Sequence, residues 1–332
     1  DDHDAMNPPC ASTTRHDHSS GDPRPVVSDS CLEGEARDLR QHLGEDSVVK
    51  FREPLGPKTT LKVGGAADLY VIPGCLEDLT KTLQWALTSS KKVHFLGRGS
   101  NVLVPDEGVR GVVVSLSSQA FLRLGVQDHY LCAGVGVRLK QISEKARKYG
   151  LSGLEFLEGI PGCVGGALRM NAGAMGKWTF DALVSMTVMD RSGNLSTWKS
   201  EAIETTYRSC PMLSEHIAIE ATFEALPASE GQVRAIMKDF ATQRRGSQPI
   251  GASAGCTFKN PDTCPAGKLI EELGLKGQRH GQAMVSDVHG NFIVNLGGAT
   301  AAEVISLIDL IQKRAKEERG LELEVEVQIL GQ

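Results

Sequence analysis

Three side chains with chemically useful groups lie in distinctive local sequences. Cys256 lies in SAGCTFKNP, Arg208 lies in YRSC, and Glu326 lies in LELEVEVQILG. A thiol, with an unperturbed pKa of about 8.5, donates a proton more readily than an alcohol. A guanidinium stabilises developing negative charge, and a carboxyl group helps an anion only if a raised pKa keeps it protonated. For Cys256 alone, four interpretations stand side by side: a small buried side chain, a metal ligand, half of a disulfide, or a proton donor.

Two glycine-rich stretches indicate a ligand that carries phosphate or a flat ring. The first, LGRGSNVLVPD, follows a predicted strand, and its glycines allow backbone N–H groups to converge on an anion. It lacks the G-x-G-x-x-G pattern of dinucleotide-binding folds, and a structural turn explains it equally well. The second, GLEFLEGIPGCVGGALRMNAGAMG, carries more glycine than a helix or strand needs. This favours a loop that wraps a pyrophosphate or a flat ring over a packed loop crossing.

The composition is that of an ordinary globular protein, with 332 residues, 40% hydrophobic and 23% charged, and a net charge of -5. Since no basic patch dominates, nucleic-acid binding is not expected. No apolar run is long enough to cross a bilayer, so we expect a cytoplasmic protein. The eight cysteines are scattered without a C-x-x-C pair, which favours reduced thiols and predicts no metal site.

The elements that must position these residues form three regions of α+β character behind a tail. We predict that residues 1–46 are disordered, because the chain begins with a stretch rich in Asp, His, Ser and Pro and poor in large apolar side chains. A β-α-β-β unit over 47–118 follows, and its helix carries a predicted apolar stripe of Leu76, Leu79, Leu83 and Leu87. Next, over 119–228, come a strand, a helix, a glycine-rich loop and paired strands. Three helices and a final alternating strand occupy 229–332. Two of these helices are predicted to begin with capping boxes, Ser229 with Gln232 and Thr300 with Glu303.

In this order the motifs resemble the flavin-dependent UDP-N-acetylenolpyruvoylglucosamine reductase family of peptidoglycan synthesis, from about Thr59 to Gly331. The stretches that carry the resemblance are TTLKVGGAADLYVIP, LGRGSNVLV, GLEFLEGIPGCVGGALRMNAGAMG, YRSC, QPIGASAGCTFKNP, AGKLIEELGLKG, VSDVHGNFIVN and LELEVEVQILG. The resemblance implies a two-lobed FAD-binding domain of the vanillyl-alcohol-oxidase type, with 47–118 and 119–228 as its subdomains. It also implies a separate α/β substrate-binding domain over 229–332, whose last strand returns to the active site.

The resemblance further implies a reaction. NADPH reduces FAD, a hydride passes from the flavin to C3 of UDP-N-acetylglucosamine enolpyruvate, and a protein acid protonates C2 to give UDP-N-acetylmuramate. Cys256 replaces the family's usual serine as that acid, and Arg208 faces the anion that forms on the substrate. Glu326 supplies a carboxyl group that must hold or share a proton. The last strand carries Glu322 and Glu324 on the same face as Glu326, and their repulsion would raise its pKa.

The resemblance and the glycine loops together predict which residues bind ligands. The predicted cofactor-binding residues are Leu96, Gly97, Arg98, Gly99, Ser100, Asn101, Gly159, Ile160, Pro161, Gly162, Gly165, Gly166, Asn171, Ala172 and Gly173. The predicted substrate-binding residues are Tyr207, Arg244, Arg245, Lys259, Asn260 and His289, with the choice between the two arginines left open.

The segment after YRSC runs directly into a predicted strand. The chain therefore resembles the branch of the family that lacks a long tyrosine-bearing insertion. We expect UDP-N-acetylglucosamine enolpyruvate and NADPH as partners, no nucleic acid, no membrane insertion and a monomeric state. Two alternatives remain open from the sequence: an FAD-linked oxidase of a small alcohol or hydroxy acid on the same fold, or a non-catalytic nucleotide-binding homologue.

Overall fold

The computed structural model describes residues 27–332, which form two lobes and a C-terminal domain. The α-helices are α1 (Asp29–His42), α2 (Leu76–Thr88), α3 (Leu139–Lys148), α4 (Val164–Met170), α5 (Glu230–Ser247), α6 (Ala266–Glu272) and α7 (Ala301–Arg319). Short 3-10 helices lie at Gly56–Lys58, Gln119–Phe121, Glu155–Leu157, Thr179–Asp181, Ser200–Ala202 and Pro211–Ser214.

The first lobe is built on a four-stranded sheet. The sheet contains β1 (Val48–Pro54), β2 (Ala66–Ile72), β3 (Val93–Phe95) and β5 (Val109–Val114) in the order β1-β2-β5-β3, and the short strand β4 (Val102–Leu103) of this lobe lies outside it. β1 pairs antiparallel with β2, while β2 and β3 both run parallel to β5. Helix α2 connects β2 to β3, and the loop that contains β4 connects β3 to β5. The stripe predicted along α2 is buried at Leu79 and Leu83, whereas Leu87 at its end is 80% exposed.

The helix α1 shows that the predicted disordered tail over 1–46 is wrong for residues 29–42. Ser28 caps α1 by accepting a hydrogen bond from the N–H of Cys31 at 3.3 Å. The helix packs against β1 and α2 and buries Leu39 in the same core as Leu79. Leu32, Ala36 and Leu39 form an apolar stripe with helical spacing, which the prediction missed because the residues before it are polar. Residues 1–26 of the predicted tail lie outside the described residues.

The second lobe is built on an antiparallel sheet in the order β12-β11-β13-β7-β6. The strands of this lobe are β6 (Leu124–Gln127), β7 (Tyr130–Gly134), β8 (Leu151–Ser152), β9 (Gly173–Ala174), β10 (Lys177–Trp178), β11 (Leu183–Met189), β12 (Leu195–Lys199), β13 (Ile217–Glu224) and β14 (Leu226–Pro227). The predicted pairing of β11 with β12 is confirmed, and Gly193 in their turn has φ +91°. The second glycine-rich stretch begins just after β8 and runs through α4 and β9.

The helix α5 packs on the second lobe, although the sequence places it in the domain over 229–332. It contacts α3 and the turn at Glu155–Leu157, and its Glu230 pairs with Arg147 of α3. The capping box of Ser229 and Gln232 forms as the sequence predicts. A cap fixes where a helix begins and carries no information on what the helix packs against, so the predicted boundary at 229 is one helix too early.

The C-terminal domain is a second antiparallel sheet, in the order β15-β18-β17-β16, covered by α6 and α7. The strands of this domain are β15 (Ala252–Cys256), β16 (Arg279–His280), β17 (Ala283–Val285), β18 (Phe292–Asn295) and β19 (Gln328–Ile329). The strand β19 leaves this domain and pairs in parallel with β4 of the first lobe. The final segment therefore returns to the FAD-binding half of the chain, as the resemblance implies.

The long final strand predicted over LELEVEVQIL is wrong for most of its length. Only β19 and a single bridge between Val325 and Phe258 have strand pairing. The N–H groups of Glu326 and Val327 both approach the carbonyl of Thr257, at 2.8 and 3.4 Å, which breaks the alternation of sides. Glu326 is consequently buried instead of lying on an exposed face with its neighbouring glutamates.

Three further properties hold for residues 27–332. No helix there is both long and apolar enough to span a membrane. No group of three or more histidine, cysteine or acidic side chains is placed to hold a metal ion. The cysteines of this part of the chain, Cys256 among them, are free thiols.

Candidate active site

Cys256 lies at the end of β15, where the pairing with β18 is irregular. The register shifts between Ser253 and Cys256, and Gly255 has φ +75°, a conformation that favours glycine. A bulge of this kind redirects a side chain out of the regular alternation of a strand. The thiol is thereby brought within electrostatic range of Glu326, Arg208 and Arg244.

Arg208 and Glu326 reach the same place from two other elements. Arg208 lies in a tight turn closed by Thr206 and Ser209 and has φ +58°, which is costly for a side chain with a Cβ. Its Nε lies 3.0 Å from Oε1 of Glu326. The structure therefore brings together all three residues predicted to be catalytic.

The electrostatics of the site favour protonated acids. Burial raises the pKa of the Cys256 thiol to about 11, with a further rise from Glu326, while Arg208 and Arg244 oppose the shift. Burial also raises the pKa of Glu326 against the opposing effect of Arg208 and Lys259. Both groups therefore hold their protons more tightly than they would in water.

The cause that the sequence suggested for the raised pKa of Glu326 is wrong. Glu322 and Glu324 are exposed, and they pair with Lys316 at 2.7 Å and with Lys259 at 2.5 Å. Each of these two carboxylates therefore forms an ion pair with a lysine. The pKa of Glu326 is raised by burial and not by repulsion from its neighbouring glutamates.

The Arg208 guanidinium keeps binding capacity for an anion. Within residues 27–332 its buried Nε–H has no well-aligned acceptor, even though the Glu326 carboxylate is near. The guanidinium carbon lies 5.2 Å from the ring centre of Trp178 and 5.3 Å from that of Tyr207. Aromatic faces hold a cation in place without neutralising its charge.

The first glycine-rich loop presents a row of unpaired N–H groups. Among residues 27–332, no acceptor receives a hydrogen bond from the backbone N–H of any residue from Gly97 to Asn101. Ser100 joins this loop to the second one, since its Oγ donates to the carbonyl of Pro161 at 2.8 Å. Gly162, with φ +138°, also approaches Ser100. Consecutive free N–H groups at a junction of two glycine loops fit the pyrophosphate of FAD.

The other predicted cofactor residues shape these loops. Leu96 and Ile160 anchor them in the hydrophobic cores, and Arg98 is exposed. Gly165 packs against Val135, whereas no atom of the described residues lies within 4 Å of a Cβ at Gly166. Asn171 ends α4 at φ +39°, Ala172 accepts hydrogen bonds from Thr179, and Gly173 packs on Trp178. Direct contact of each of these residues with FAD remains a prediction.

Three predicted substrate residues lie along one rim of the site. The hydroxyl of Tyr207 accepts a hydrogen bond from the N–H of Asn260 at 3.4 Å. Asn260 in turn accepts from the N–H of Ala266 at the start of α6, at 2.9 Å. Lys259 lies next to Asn260 and holds Glu324. The rim joins the Arg208 turn to the segment that follows Cys256.

Arg244 and Arg245, the two candidate substrate-binding arginines, lie in different surroundings. The Arg244 guanidinium lies over Gly159 of the second loop and has no hydrogen bond or ion pair within residues 27–332. Burial lowers the pKa of Arg244, and the nearby Glu158 and Cys256 raise it. Arg245 is exposed and its Nε donates to the carbonyl of Ala241 at 3.3 Å. Of the two, Arg244 is the one that faces the site.

Within residues 27–332, His289 makes no hydrogen bond or ring contact with Cys256, Arg208 or Glu326. Its ring packs against Gly267 and lies 5.0 Å from the ring centre of Phe292. Its Nδ1 accepts a hydrogen bond from the N–H of Asn291 at 3.1 Å, and burial lowers its pKa. These contacts describe a histidine that shapes a turn of the C-terminal domain.

Three side chains at the site escaped the sequence reasoning: Thr60, Trp178 and Asn291. Thr60 hydrogen-bonds carbonyls of both the FAD-binding half and the C-terminal domain, Trp178 stacks on Arg208, and Asn291 bonds the backbone beyond Cys256. Asn291 lies inside the quoted motif VSDVHGNFIVN, where a polar residue next to an apolar run was the available signal. Contacts between distant segments identify the other two, and a single sequence does not reveal such contacts.

The fold and its two glycine loops define an FAD-binding oxidoreductase, and the FAD binding domain family matches residues 67–198. The family described as the C-terminal domain of UDP-N-acetylenolpyruvoylglucosamine reductase matches residues 248–330, which begin just after α5. On these matches and the relatives below, the chain belongs to the UDP-N-acetylenolpyruvoylglucosamine reductase family.

The relatives cover nearly the whole described chain. The UDP-N-acetylenolpyruvoylglucosamine reductase of Syntrophomonas wolfei is 39% identical over 286 residues, which are 86% of this chain and 95% of that protein. The reductase of Exiguobacterium sibiricum is 41% identical over 296 residues, with 89% and 96% covered. The crystal structure of the reductase from Thermus caldophilus superposes with a TM-score of 0.75 at 36% identity, covering 85% of this chain and 99% of that one. These similarities confirm the predicted family, the FAD-dependent enzyme class and the separate C-terminal domain.

Proposed function

We propose that this chain reduces UDP-N-acetylglucosamine enolpyruvate to UDP-N-acetylmuramate, with FAD as cofactor and NADPH as reductant. The observation that carries the proposal is the meeting of Cys256, Arg208 and Glu326 from three separate elements beside the two glycine loops. An oxidase of a small alcohol or hydroxy acid removes hydride and a proton from its substrate, so it would need no buried proton donor here, and neither would a non-catalytic nucleotide-binding homologue.

The chain's own residues supply the charge stabilisation. FAD, which the glycine loops at 97–101 and 159–166 would hold, would supply in its reduced form the hydride for C3 of the enolpyruvyl group. Addition at C3 builds negative charge toward the substrate carboxylate, as in an enolate. The Nε–H of Arg208, which lies against Trp178 and Tyr207, donates to that anion, and the carboxyl group of Glu326, whose pKa is raised by burial, lies beside it.

Cys256 completes the reaction by giving its thiol proton to C2, so that hydride and proton together saturate the double bond. The raised pKa ensures that the thiol carries this proton at neutral pH. Once the proton has left, the charges of Arg208 and Arg244 stabilise the thiolate until a proton returns from solvent. Cysteine therefore substitutes for the family's usual serine without changing the proton balance.

The residues of the rim are the ones that would bind the nucleotide end of the substrate. We assign Lys259, Asn260 and Tyr207 to contacts with the sugar nucleotide, and Arg244 to one of its anionic groups. Arg245 and His289 are engaged elsewhere, so we assign them no contact. Only the short segment 209–216 separates Arg208 from β13, which fits the branch without the tyrosine-bearing insertion. The cytoplasmic location and the monomeric state remain predictions.

An anaerobic absorbance experiment tests the proposal. The purified protein is bleached with NADPH, and UDP-N-acetylglucosamine enolpyruvate is then added without oxygen. Return of the oxidised flavin band is the expected result. A band that bleaches and recovers only in air would favour the oxidase alternative, and a protein that binds no flavin would overturn the cofactor assignment as well.

A further inference from the structure

Asn291 is a buried side chain bonded to the backbone that follows Cys256. It lies between the His289 turn and β18 and is 2% exposed. Its Oδ1 accepts from the N–H of Phe258 at 2.9 Å, and its Nδ2 donates to the carbonyl of the same residue at 2.8 Å. Its own carbonyl accepts from the N–H of Thr257 at 2.8 Å. Three hydrogen bonds thus fix the two residues directly beyond the proposed proton donor.

The same two residues hold Glu326. The carbonyl of Thr257 accepts from the N–H of Glu326 at 2.8 Å, and Phe258 bridges to Val325. Asn291 is therefore linked to both acids of the site through the segment 257–258. A shift of the 257–258 segment would move Cys256 and Glu326 together.

The backbone at this point needs such support. Pairing of β15 with β18 shifts register before Cys256, and the strand ends at that residue. Beyond Cys256 the segment 257–258 keeps a single bridge, to Val325, and the Asn291 side chain adds an acceptor and a donor that bond the N–H and the carbonyl of Phe258.

We infer that Asn291 is a positioning residue for the proton-transfer step, because it holds the segment that aims the Cys256 thiol and the Glu326 carboxyl group. The inference rests on the proposed reductase function. It predicts that disturbing the Asn291 bonds slows transfer to the substrate and leaves reduction of the cofactor by NADPH unchanged, since that half of the cycle needs no proton from Cys256.

Asn291→Asp is the informative variant because it changes one donor and almost no volume. An ionised aspartate accepts from the Phe258 N–H but repels the Phe258 carbonyl, whereas a protonated one donates to that carbonyl as the amide does. The titratable groups next to this position are His289, Lys259, Glu326 and Cys256, and all are shared with the wild-type protein. The ratio of variant to wild-type rate therefore isolates the new carboxyl group.

Asn295→Asp is the matched control. Asn295 is the last residue of β18, the strand that Asn291 directly precedes, and it also bonds backbone groups, namely the carbonyls of Leu61 and Lys62 and the N–H groups of Gly297 and Ala299. It makes no hydrogen bond to the segment 257–258. Loss of a backbone-bonding asparagine as such would affect both variants alike.

The experiment measures the two half-reactions by stopped flow on the FAD-loaded proteins between pH 5.5 and pH 8.5. For Asn291→Asp we expect an unchanged rate of reduction by NADPH and a rate of reoxidation by substrate that is lower by about 100-fold at pH 8.5. The deficit should shrink as the pH falls and the aspartate is protonated. Asn295→Asp should show no deficit of this pH-dependent kind.

Two results would overturn the inference: a reoxidation rate equal to wild type across the pH range, or equal losses in both half-reactions for Asn291→Asp. If the wild-type protein itself is not reoxidised by the enolpyruvyl substrate, the proposed function fails instead. The two failures are therefore distinguished by the wild-type trace.

Discussion

At the scale of single residues, the site opposes the ionisation of its own thiol. Cys256 is buried next to the carboxyl group of Glu326, and both features favour the neutral form. Arg208 and Arg244 act in the opposite sense, which limits the cost once the proton has left. A thiol in this setting is a proton donor at neutral pH rather than a nucleophile, because the nucleophilic form is the thiolate.

The first residue-scale prediction concerns pH. The donor must be protonated, and the pKa of Cys256 is raised to about 11, so reoxidation by substrate should stay constant through neutral pH and fall as the pH rises through about 11. Cys256→Ser should keep activity and lack this alkaline decline, because an alcohol does not ionise there. Brief pH jumps with anaerobic absorbance measure both proteins, and full activity in Cys256→Ala would refute the donor role.

The second residue-scale prediction concerns the coupling of the two acids. The negative charge of Glu326 raises the pKa of Cys256, so Glu326→Gln should lower it. Alkylation of Cys256 by iodoacetamide should then begin at a lower pH than in the wild-type protein. Mass spectrometry of the Cys256 peptide follows the reaction, with Cys264 as an internal control whose profile should not change. An unchanged Cys256 profile would mean that the two groups do not interact.

At the scale of elements, α1 closes the core of the first lobe. Leu39 is fully buried among residues of β2 and α2, in a part of the chain that composition alone assigns to a flexible tail. Helix α1 is therefore part of the folded domain that presents the first glycine loop.

The element-scale prediction is a loss of stability. Leu39→Ala should lower the free energy of unfolding by about 2–5 kcal/mol, because it leaves a cavity in a packed core. Leu87→Ala, at a position 80% exposed on α2, should change it by less than about 0.5 kcal/mol. Urea denaturation followed by circular dichroism compares the two variants, and equal effects would argue against α1 as part of the core.

Local signals predicted most of the elements, and long-range contacts decided the rest. The capping box at Thr300 and Glu303 and the stripe on α2 depend on residues a few positions apart, and both form. The final segment is different, because its alternation of Leu, Val and Glu predicts a long strand. Hydrogen bonds from Glu326 and Val327 to Thr257 instead hold it in a mostly irregular conformation.

The same distinction holds for the site. The three catalytic predictions came from a family resemblance that places chemistry on quoted motifs, and the structure brings those residues together. Arg244 separates from Arg245 only because α5 presents one of them to Gly159. The cause of the raised pKa at Glu326 also depends on where Glu322 and Glu324 find their lysines, which alternation along a strand does not predict.

At the scale of the whole molecule, side chains join the FAD-binding half to the C-terminal domain at several points. Thr60 Oγ1 lies 2.6 Å from the carbonyl of Ser253 and 3.2 Å from that of Gly99. Asn101 donates to the carbonyl of Glu326 at 3.2 Å, and Asp106 accepts from the first N–H groups of α7. The cofactor loop is therefore attached directly to the segments that carry the two acids.

The molecule-scale prediction tests this attachment. Thr60→Val removes a hydroxyl that serves both halves, and at about 1 kcal/mol for a lost hydrogen bond it should weaken FAD binding by about fivefold. It should also slow reoxidation by substrate, because Ser253 lies on the strand that ends at Cys256. Thr60→Ser keeps the hydroxyl and should behave like the wild-type protein. Flavin fluorescence titration gives the affinity, and identical values for the valine and serine variants would contradict the prediction.

Stacking of Arg208 on Trp178 has an optical consequence. The chain has three tryptophans, and the other two lie away from the guanidinium: the Trp85 indole donates to Asp38, and that of Trp198 donates to Ser196. An anion that pairs with Arg208 changes the electric field across the Trp178 ring, and the emission colour of indole responds to such fields. Trp178 is thus a built-in fluorescent reporter of when the carboxylate of a ligand arrives.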